Sequence, residues 1–343
     1  MMSFKKYRLQ DRDLDKVFQI VLSGLEENAE LDVKREIVNS ILPVDKYTLL
    51  HRFLSENEGL STKLRLNSLP VFLDERTKYF SFVQYEEDQQ AIKSILSLIP
   101  KYCPNIKTVD LRNLVIKSEI KENFKTFLKE TTQMKSLRMS SCQRRCSCAI
   151  FELLLEDDFH LHDRDVQNGL LKIEYFDGWE VFDEFMCANL LKRLPNLKSF
   201  GPFQDLDSVI STFSDDDEIV QKLNNITEIG EDQTTLINLE YLAKFCPKAE
   251  KIHLCEPEKN VIKNLCKFEF LSELILFSDD SDFLSEVIYL LSAIGKQIKT
   301  LHLAFAHGID PDPKIFHYLC PKLITLTIKH GISEFHVTLF TMT

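Results

Sequence analysis

A short pattern of apolar residues recurs along most of the chain and limits its fold more than any other feature. The pattern is apolar-x-x-apolar-x-apolar, and Cys103-Pro104, Cys246-Pro247 and Cys320-Pro321 precede its clearest copies. The first apolar positions of all copies are Ile106, Met134, Leu170, Leu197, Ile226, Ala249, Leu271, Ile298 and Leu323. All but one of the steps between them span 22 to 29 residues. A period of this length predicts stacked units that share one continuous core, because no single unit can bury its own apolar face.

The segments between the copies have the spacing of helices. Apolar residues recur at intervals of three and four, which places them on one helical face. Three such stripes are Ile92, Ile95, Leu96 and Ile99; Val181, Phe182, Phe185 and Met186; and Phe283, Leu284, Val287, Ile288 and Leu291. Each helix is expected to end near a proline, which cannot continue the hydrogen-bond ladder. The repeating unit is therefore a helix, a proline stop, a short strand and a loop, which predicts an α/β fold.

Residues 88 to 330 resemble the leucine-rich-repeat family. The Cys-Pro-x-apolar-x-x-apolar-x-apolar runs at Cys103, Cys246 and Cys320 carry the resemblance, and they are most similar to the ribonuclease-inhibitor-like subclass found in F-box and leucine-rich-repeat proteins. The resemblance implies a curved parallel sheet with outer helices over residues 88–343. The family usually has Asn or Cys three residues after the last apolar strand position, and here only Cys142 fits that pattern.

Residues 1–87 have a different pattern and are predicted to form a helical module. A first stripe contains Leu14, Val17, Phe18, Val21, Leu22 and Leu25, a second helix is expected from Val33 to Ile41, and a third carries Leu49, Leu50, Phe53 and Leu54. Leu64-Arg65-Leu66 and Phe80-Ser81-Phe82 alternate like short strands. The module is expected to cap the first open face of the array, since repeat arrays need a polar terminal lid.

The N-terminal module also has some similarity to an F-box. Leu42-Pro43, followed by Leu49-Leu50 and Phe53-Leu54, is similar to the start of such a box, although no Val-Cys-x-x-Trp-like end follows within residues 55 to 80. The resemblance implies a substrate-recognition subunit of a ubiquitin ligase, in which the helices dock onto a ligase adaptor and the repeats select the target. The alternative is a stand-alone protein-interaction scaffold whose N-terminal helices only form a cap.

Several kinds of chemistry are excluded or disfavoured by the residues present. No two glycines lie closer than nine positions, so neither a dinucleotide fingerprint nor a phosphate-binding loop exists, and no H-E-x-x-H motif occurs. One cluster has the right residue types for zinc: Cys142, Cys146, Cys148, His160 and His162. Its spacing lacks a paired C-x2-C hook, and free thiols are the preferred interpretation. We therefore predict a protein that is not an enzyme and that binds no metal and no cofactor.

A protein-binding surface is predicted on the concave face of the sheet. In a strand the residues between core positions point to the opposite side. The expected contact residues are Asp110, Arg112, Arg138, Lys172, Glu174, Phe176, His253, Phe277 and His302. Mixed charges with aromatic groups suit a protein partner better than a small-molecule pocket.

Charge and composition limit which partners the chain can bind and in which compartment it is expected. The formal net charge of −11 argues against nucleic acid, which is bound through basic residues. No apolar stretch reaches the roughly 18 residues that a membrane helix needs, so no membrane association is expected. The odd count of nine Cys, several within apolar runs, indicates a reducing compartment, the cytoplasm or the nucleus. The given sequence stops at Phe340-Thr341-Met342-Thr343, after a strand-like run and with no obvious polar capping helix, and an open final face would favour aggregation or dimerisation.

Overall fold

The fold was analysed in a computed structural model of the 343-residue chain. The structure describes residues 15–19, 36, 38, 46, 48–50, 52–53, 62–81, 89–111, 117–140, 171–179, 184–199, 206–232, 236–280, 282–305, 311–330 and 338–341. They belong to two compact units, residues 1–173 and residues 174–343. This division differs from the boundary expected at residue 87, which stays a prediction.

The first unit begins with helical segments. Residues 15–19, 36, 38, 46, 48–50 and 52–53 are helical wherever the structure describes them. Their apolar side chains are buried, namely those of Phe18, Val38, Leu49, Leu50 and Phe53. The expected stripe positions Leu14, Val21, Leu22, Leu25 and Leu54 lie outside the described residues.

Helices and parallel strands alternate in the rest of the first unit. The elements are α1 (Thr62–Phe72), β1 (Tyr79–Ser81), α2 (Gln89–Tyr102), β2 (Thr108–Leu111), a 3-10 turn (Ser118–Ile120), α3 (Lys121–Glu130) and β3 (Ser136–Ser140). The strands β1, β2 and β3 lie side by side in that order and run parallel. Phe80, Val109 and Leu137 are register partners across them, and each is at most 1% exposed. This row belongs to the core.

The prediction of a short strand at Leu64-Arg65-Leu66 is wrong, because these residues lie within α1. The helix continues to Phe72, and its later residues Leu69 and Phe72 are buried one turn apart. The ring of Phe72 stacks on Phe53 with centroids 4.5 Å apart. Packing between distant segments therefore outweighs the local alternation of residues 64–66.

The second unit has the same alternation and a longer sheet. Its elements are β4 (Tyr175–Trp179), α4 (Glu184–Arg193), α5 (Leu206–Phe213), α6 (Asp217–Leu223), β5 (Glu228–Asp232), α7 (Leu236–Phe245), β6 (Lys251–Cys255), a 3-10 helix (Ile262–Lys267), β7 (Glu273–Ser278), α8 (Phe283–Ile294), β8 (Thr300–Phe305), α9 (Pro313–Leu319), β9 (Thr325–His330) and β10 (Thr338–Thr341). The strands β5 to β9 are parallel and adjacent in chain order, and β10 pairs antiparallel with β9.

One buried row runs across five strands of this sheet. Ile229, Ile252, Leu274, Leu301 and Leu326 are register partners, and each is at most 2% exposed. The helices add their own buried residues to this core, and the ring of Phe283 at the start of α8 lies 5.9 Å from that of Phe305 at the end of β8. Parallel strands that are each reached through a helix or a 3-10 turn fit a leucine-rich-repeat fold.

The proline stops follow one geometry in four places. The helices α2, α4, α7 and α9 end one residue before Cys103-Pro104, Leu194-Pro195, Cys246-Pro247 and Cys320-Pro321. In each case the residue before proline donates its N–H to a helical carbonyl at 2.8 Å, and its own carbonyl accepts from the first apolar position at 3.0 or 3.1 Å. The expected helix ends are confirmed at these four places, where the turn leads straight into the strand. The expectation is wrong for α8, which ends at Ile294 with Gly295 as its C-cap and no proline nearby.

Two expected registers around residues 170–191 are wrong. In the copy predicted at Leu170, Ile173 and Tyr175, the structure buries Ile173 and Phe176, while Tyr175 is partly exposed. In α4 the predicted stripe residue Phe185 is 59% exposed, and the buried face consists of Cys187, Ala188, Leu190 and Leu191. The stripe residues Val181 and Phe182 lie outside the described residues.

Candidate functional site

The second unit presents a partly exposed surface on the side of its sheet opposite the core. On β6, β7 and β8 every second residue is buried, and the residues between them are partly exposed. We call this surface the open face, and it consists of Lys251, His253, Cys255, Glu273, Ile275, Phe277, Thr300, His302 and Ala304. Its origin is the two-residue period of the strand, which sends neighbouring side chains to opposite sides.

The parallel register arranges the open face in three rows. The first row contains Lys251, Glu273 and Thr300, the second contains His253, Ile275 and His302, and the third contains Cys255, Phe277 and Ala304. Neighbouring strands lie about 4.8 Å apart, so side chains within a row are close neighbours. The first row contains a lysine and a glutamate, the second row has a histidine on each side of an isoleucine, and the third row is largely apolar.

The charges of the first row are paired within the sheet. Lys251 Nζ lies 3.0 Å from Glu273 Oε1, and both side chains are about one third exposed. Such a partly exposed pair contributes little to stability, on the order of 0.5 kcal/mol. Its consequence for the site is that neither charge is left without a counter-charge.

In the second row, His302 is an uncharged imidazole near neutral pH. Burial lowers the pKa of His302, an effect that the Glu273 carboxylate opposes and the ammonium groups of Lys251 and Lys329 reinforce. The imidazole is therefore neutral at pH 7. Together with Ile275 and Phe277, it gives the middle of the open face a weakly polar, uncharged character.

The open face has limits on both sides along the sheet. Gly230 is the register partner of His253 on β5, and it is buried without a side chain. Thr327 is the register partner of His302 on β9, and it is only 4% exposed. The accessible part is therefore centred on β6, β7 and β8.

Three of the nine predicted contact residues, His253, Phe277 and His302, come together on the open face. His253 and His302 flank Ile275 in one row, and Phe277 lies two positions further along β7. The structure brings these three together as the alternation of core and surface positions predicts. Their role in binding a partner stays a prediction.

Two other predicted residues lie on neighbouring strands of the first unit. Asp110 and Arg138 are register partners on β2 and β3. Asp110 is only 2% exposed, and its Oδ2 accepts a hydrogen bond from the Tyr79 hydroxyl at 3.4 Å. Its burial contradicts the expectation of an accessible surface residue. Arg112 lies outside the described residues.

The remaining three predicted residues are not on an exposed strand face. Lys172 is exposed in a turn before β4, and Glu174 lies just before the same strand, where its Oε2 is 2.8 Å from Lys198 Nζ. Phe176 is 1% exposed and belongs to the core, so its predicted surface position is wrong. The cause is the register error at Leu170, which exchanges inward and outward positions on β4.

Sequence reasoning missed several residues of the open face. Ile275 is central to it, but it stands between the core residues Leu274 and Leu276 and blends into an apolar run. The prediction also omitted Lys251, Cys255, Glu273, Thr300 and Ala304. Strict alternation from the core positions would have identified all six.

The described part of the chain contains no group of three or more His, Cys, Asp or Glu side chains that could hold a metal ion. The cluster of Cys142, Cys146, Cys148, His160 and His162 lies outside the described residues. Among the helices that the structure describes, none is long and apolar enough to cross a bilayer.

Comparison with known proteins gives little further information. No family model matches the chain, and no curated protein sequence matches it. Among solved structures, an internalin from Listeria monocytogenes aligns over 85% of this chain and 89% of its own, at 14% identity and a TM-score of 0.29. A likeness at this level is too low to transfer a fold or a function.

Proposed function

We propose that this chain is a protein-interaction module of the leucine-rich-repeat type, and that it binds a protein partner on the open face. The observation that carries the proposal is the second row, in which Ile275 lies partly exposed between two histidines and beside Phe277. The fully buried centre of a protein interface is depleted in charge and enriched in aromatic and apolar groups. The second and third rows have this composition.

The open face is also suited to recognition because its strands are packed against the core on their other side. Its side chains stand on strands whose opposite sides are buried, so little backbone ordering accompanies binding. A partner would contact Ile275 and Phe277 at the centre, and the paired charges of Lys251 and Glu273 would form part of the rim. Apolar anchors surrounded by a polar rim are typical of protein interfaces.

The test compares two variants with the same added charge. Partners are captured from native cells with the full chain, with Ile275→Glu, and with Ala293→Glu, which lies exposed on helix α8. We expect proteins retained by the wild type to be lost with Ile275→Glu and kept with Ala293→Glu. Retention of the same proteins by all three chains would refute the proposal. Thermal unfolding of each variant establishes that it is folded.

A narrower proposal is that the module serves as the substrate-recognition subunit of a ubiquitin ligase, in the cytoplasm or the nucleus. It rests on the resemblance of the repeats to the ribonuclease-inhibitor-like subclass and on the box-like residues Leu42-Pro43 and Leu49-Leu50. Leu49 and Leu50 are helical and buried, a state compatible with a packed helical box. Co-purification of a ligase adaptor with the full chain would support this role. If no ligase adaptor co-purifies, the alternative of a stand-alone interaction scaffold is favoured.

A further inference from the structure

The loops that follow β6 and β7 place acidic residues at one edge of the open face. The backbone N–H of Glu256 donates to the carbonyl of Phe277 at 2.9 Å, so Glu256 is held beside the third row. Glu256 has a left-handed φ of 47°, which turns the chain immediately after Cys255. Glu258 and Asp279 follow on the two loops, and all three acidic residues are exposed. We call Glu256, Glu258 and Asp279 the acidic edge.

Other carboxylates in these loops already have partners. Asp282 Oδ2 lies 2.8 Å from Lys259 Nζ, which lowers the pKa of the Asp282 carboxyl. Glu286 accepts the backbone N–H of Asn260 at 3.0 Å, and Asp280 accepts that of Asp282 at 2.8 Å. These three carboxylates are therefore already bonded to atoms of the two loops.

The carboxylates of the acidic edge, unlike those of Asp280, Asp282 and Glu286, have no such partners among the described residues. Within the part of the chain that the structure describes, no hydrogen bond or ion pair is found for the side chains of Glu256, Glu258 and Asp279. These three carboxylates have no salt-bridge partner in that part of the chain; the Glu256 backbone is bonded to Phe277, and Asp279 follows Phe277 by two positions along the chain. The first row on the opposite side differs, because Lys251 neutralises Glu273 there.

We propose that the partner of the open face is a basic protein segment that places apolar side chains on Ile275 and Phe277 and Lys or Arg side chains against the acidic edge. This inference rests on the proposed function and adds the chemistry of the partner. Opposite charges across an interface speed association and favour the correct partner, whereas like charges oppose it. A second copy of this chain, with a net charge of −11, would bring further negative charge to the acidic edge.

The test selects peptides that bind the chain only when the open face is intact. A phage library of random 12-residue peptides is panned on the full chain and counter-selected on the variant Ile275→Glu. Clones that survive bind through the open face, and a second variant, Phe277→Gln, repeats the comparison without adding charge. We expect the surviving peptides to contain apolar residues and to be clearly richer in Lys and Arg than the unselected library.

Two double variants then test the position of the charge. Glu258→Lys with Asp279→Lys reverses the acidic edge, and Glu250→Lys with Glu269→Lys makes the same change in charge at exposed sites before β6 and β7. Measured by fluorescence anisotropy, peptide affinity should fall about tenfold or more with the first pair and by less than about threefold with the second. Raising the salt concentration should weaken binding to the wild type.

The outcomes separate this inference from the proposed function. If no clone survives counter-selection, the open face is not a binding surface and both proposals fail. If clones survive but are neutral or acidic, or if both double variants reduce affinity equally, the basic partner is refuted while the open face remains a binding surface.

Discussion

Lys46 Nζ lies 2.7 Å from Asp74 Oδ2, with both side chains largely buried at 8% and 12% exposure. Asp74 Oδ1 also accepts the backbone N–H of Thr77 at 3.1 Å and that of Arg76 at 2.9 Å. By register with β2, Thr77 occupies the position that Ile106 has in the next repeat. A polar cluster thus replaces an apolar residue at the start of the first strand, and it ties that strand to the N-terminal helices.

Removing the charge of Asp74 should destabilise the first unit. Loss of one partner leaves a largely buried ammonium group without its counter-charge, so Asp74→Asn should lower the free energy of unfolding by on the order of 3 kcal/mol at pH 7. Urea unfolding measures this change. Glu75→Gln, at the exposed neighbouring position, is the control and should be close to neutral. A shift no larger than that of the control would contradict the structural role of the pair.

The same pair predicts a specific acid response. Burial alone would raise the pKa of Asp74, but the hydrogen bond and charge of Lys46, together with Arg76, outweigh it and lower the pKa. The ionised Asp74 carboxylate therefore stabilises the fold fully above its unfolded pKa of about 3.9. This contribution is lost as the pH falls through the lower pKa of the folded state. Below pH 4, unfolding free energy should fall less steeply in Asp74→Asn than in the wild type. Identical slopes would count against this assignment.

Gly295 is expected to tolerate no side chain. A Cβ atom there would overlap the carbonyl oxygens of Leu319 and Leu291, and neither backbone can move cheaply. Gly295→Ala should therefore lower the free energy of unfolding by about 1 to 3 kcal/mol, although alanine is the better helix former. Thermal unfolding measures it, with the exposed Lys296→Ala as control. An unchanged or raised Tm for Gly295→Ala would show that the two segments can separate.

The alternation on β8 predicts opposite outcomes at neighbouring positions. Leu301 is fully buried, so Leu301→Ala should cost about 2 to 5 kcal/mol of unfolding free energy. Thr300 is partly exposed on the open face, and Thr300→Ala should change it by less than about 1 kcal/mol. Chemical denaturation of both variants gives the comparison. Equal effects would mean that the register of β8 is wrong.

The described thiols should differ sharply in reactivity. Burial raises the pKa of Cys103 to about 12 and that of Cys320 to about 11, so little reactive thiolate forms near pH 8. Cys266 is exposed. Iodoacetamide followed by peptide mass spectrometry should show rapid labelling of Cys266 and slow labelling of Cys103 and Cys320. Addition of urea should remove the difference, and rapid native labelling of Cys103 would disprove its burial.

His302 should make stability depend on pH above the range of the carboxylates. Because burial lowers the pKa of His302 in the folded protein, the unfolded chain binds a proton at this histidine at a higher pH than the folded chain does. The free energy of unfolding therefore falls as the pH drops below the unfolded pKa of about 6.5. Between pH 7.5 and 5.5 the urea midpoint of the wild type should fall more than that of His302→Gln. Glu273, Lys251 and Lys329 are unchanged in both chains, so their contributions cancel in the comparison.

How far the sequence predicts the structure differs between repeats. Where Cys-Pro precedes the pattern, as at Cys246-Pro247, the helix end, the turn and the strand all agree with the prediction. The proline ends the helix and thereby fixes the phase of the strand that follows. From that phase, alternation alone identifies core and surface positions, including His253.

The copy at Leu170 needed the tertiary structure, whereas the copies at Leu271 and Ile298 follow the prediction without a preceding Cys-Pro. Leu170, Ile173 and Phe176 are spaced by three, so two phases of the pattern fit the same stretch. Pairing of Tyr175 with Ser199 accompanies the second phase and places Phe176 in the core. The polar cluster at Thr77, before the first strand, could not be predicted either, because Asp74 and Lys46 meet only in the folded chain.

The sequence by itself determined the alternation of helix and strand, the helix ends at the proline stops and the apolar rows of the second unit, since these depend on local periodicity and on the missing N–H of proline. Only the tertiary structure decided that Asp110 is buried and bonded to Tyr79, that Phe185 is exposed, and that Glu256 lies beside Phe277. Each of these outcomes depends on which distant residue occupies the neighbouring space. Periodicity along one segment contains no information about that neighbour.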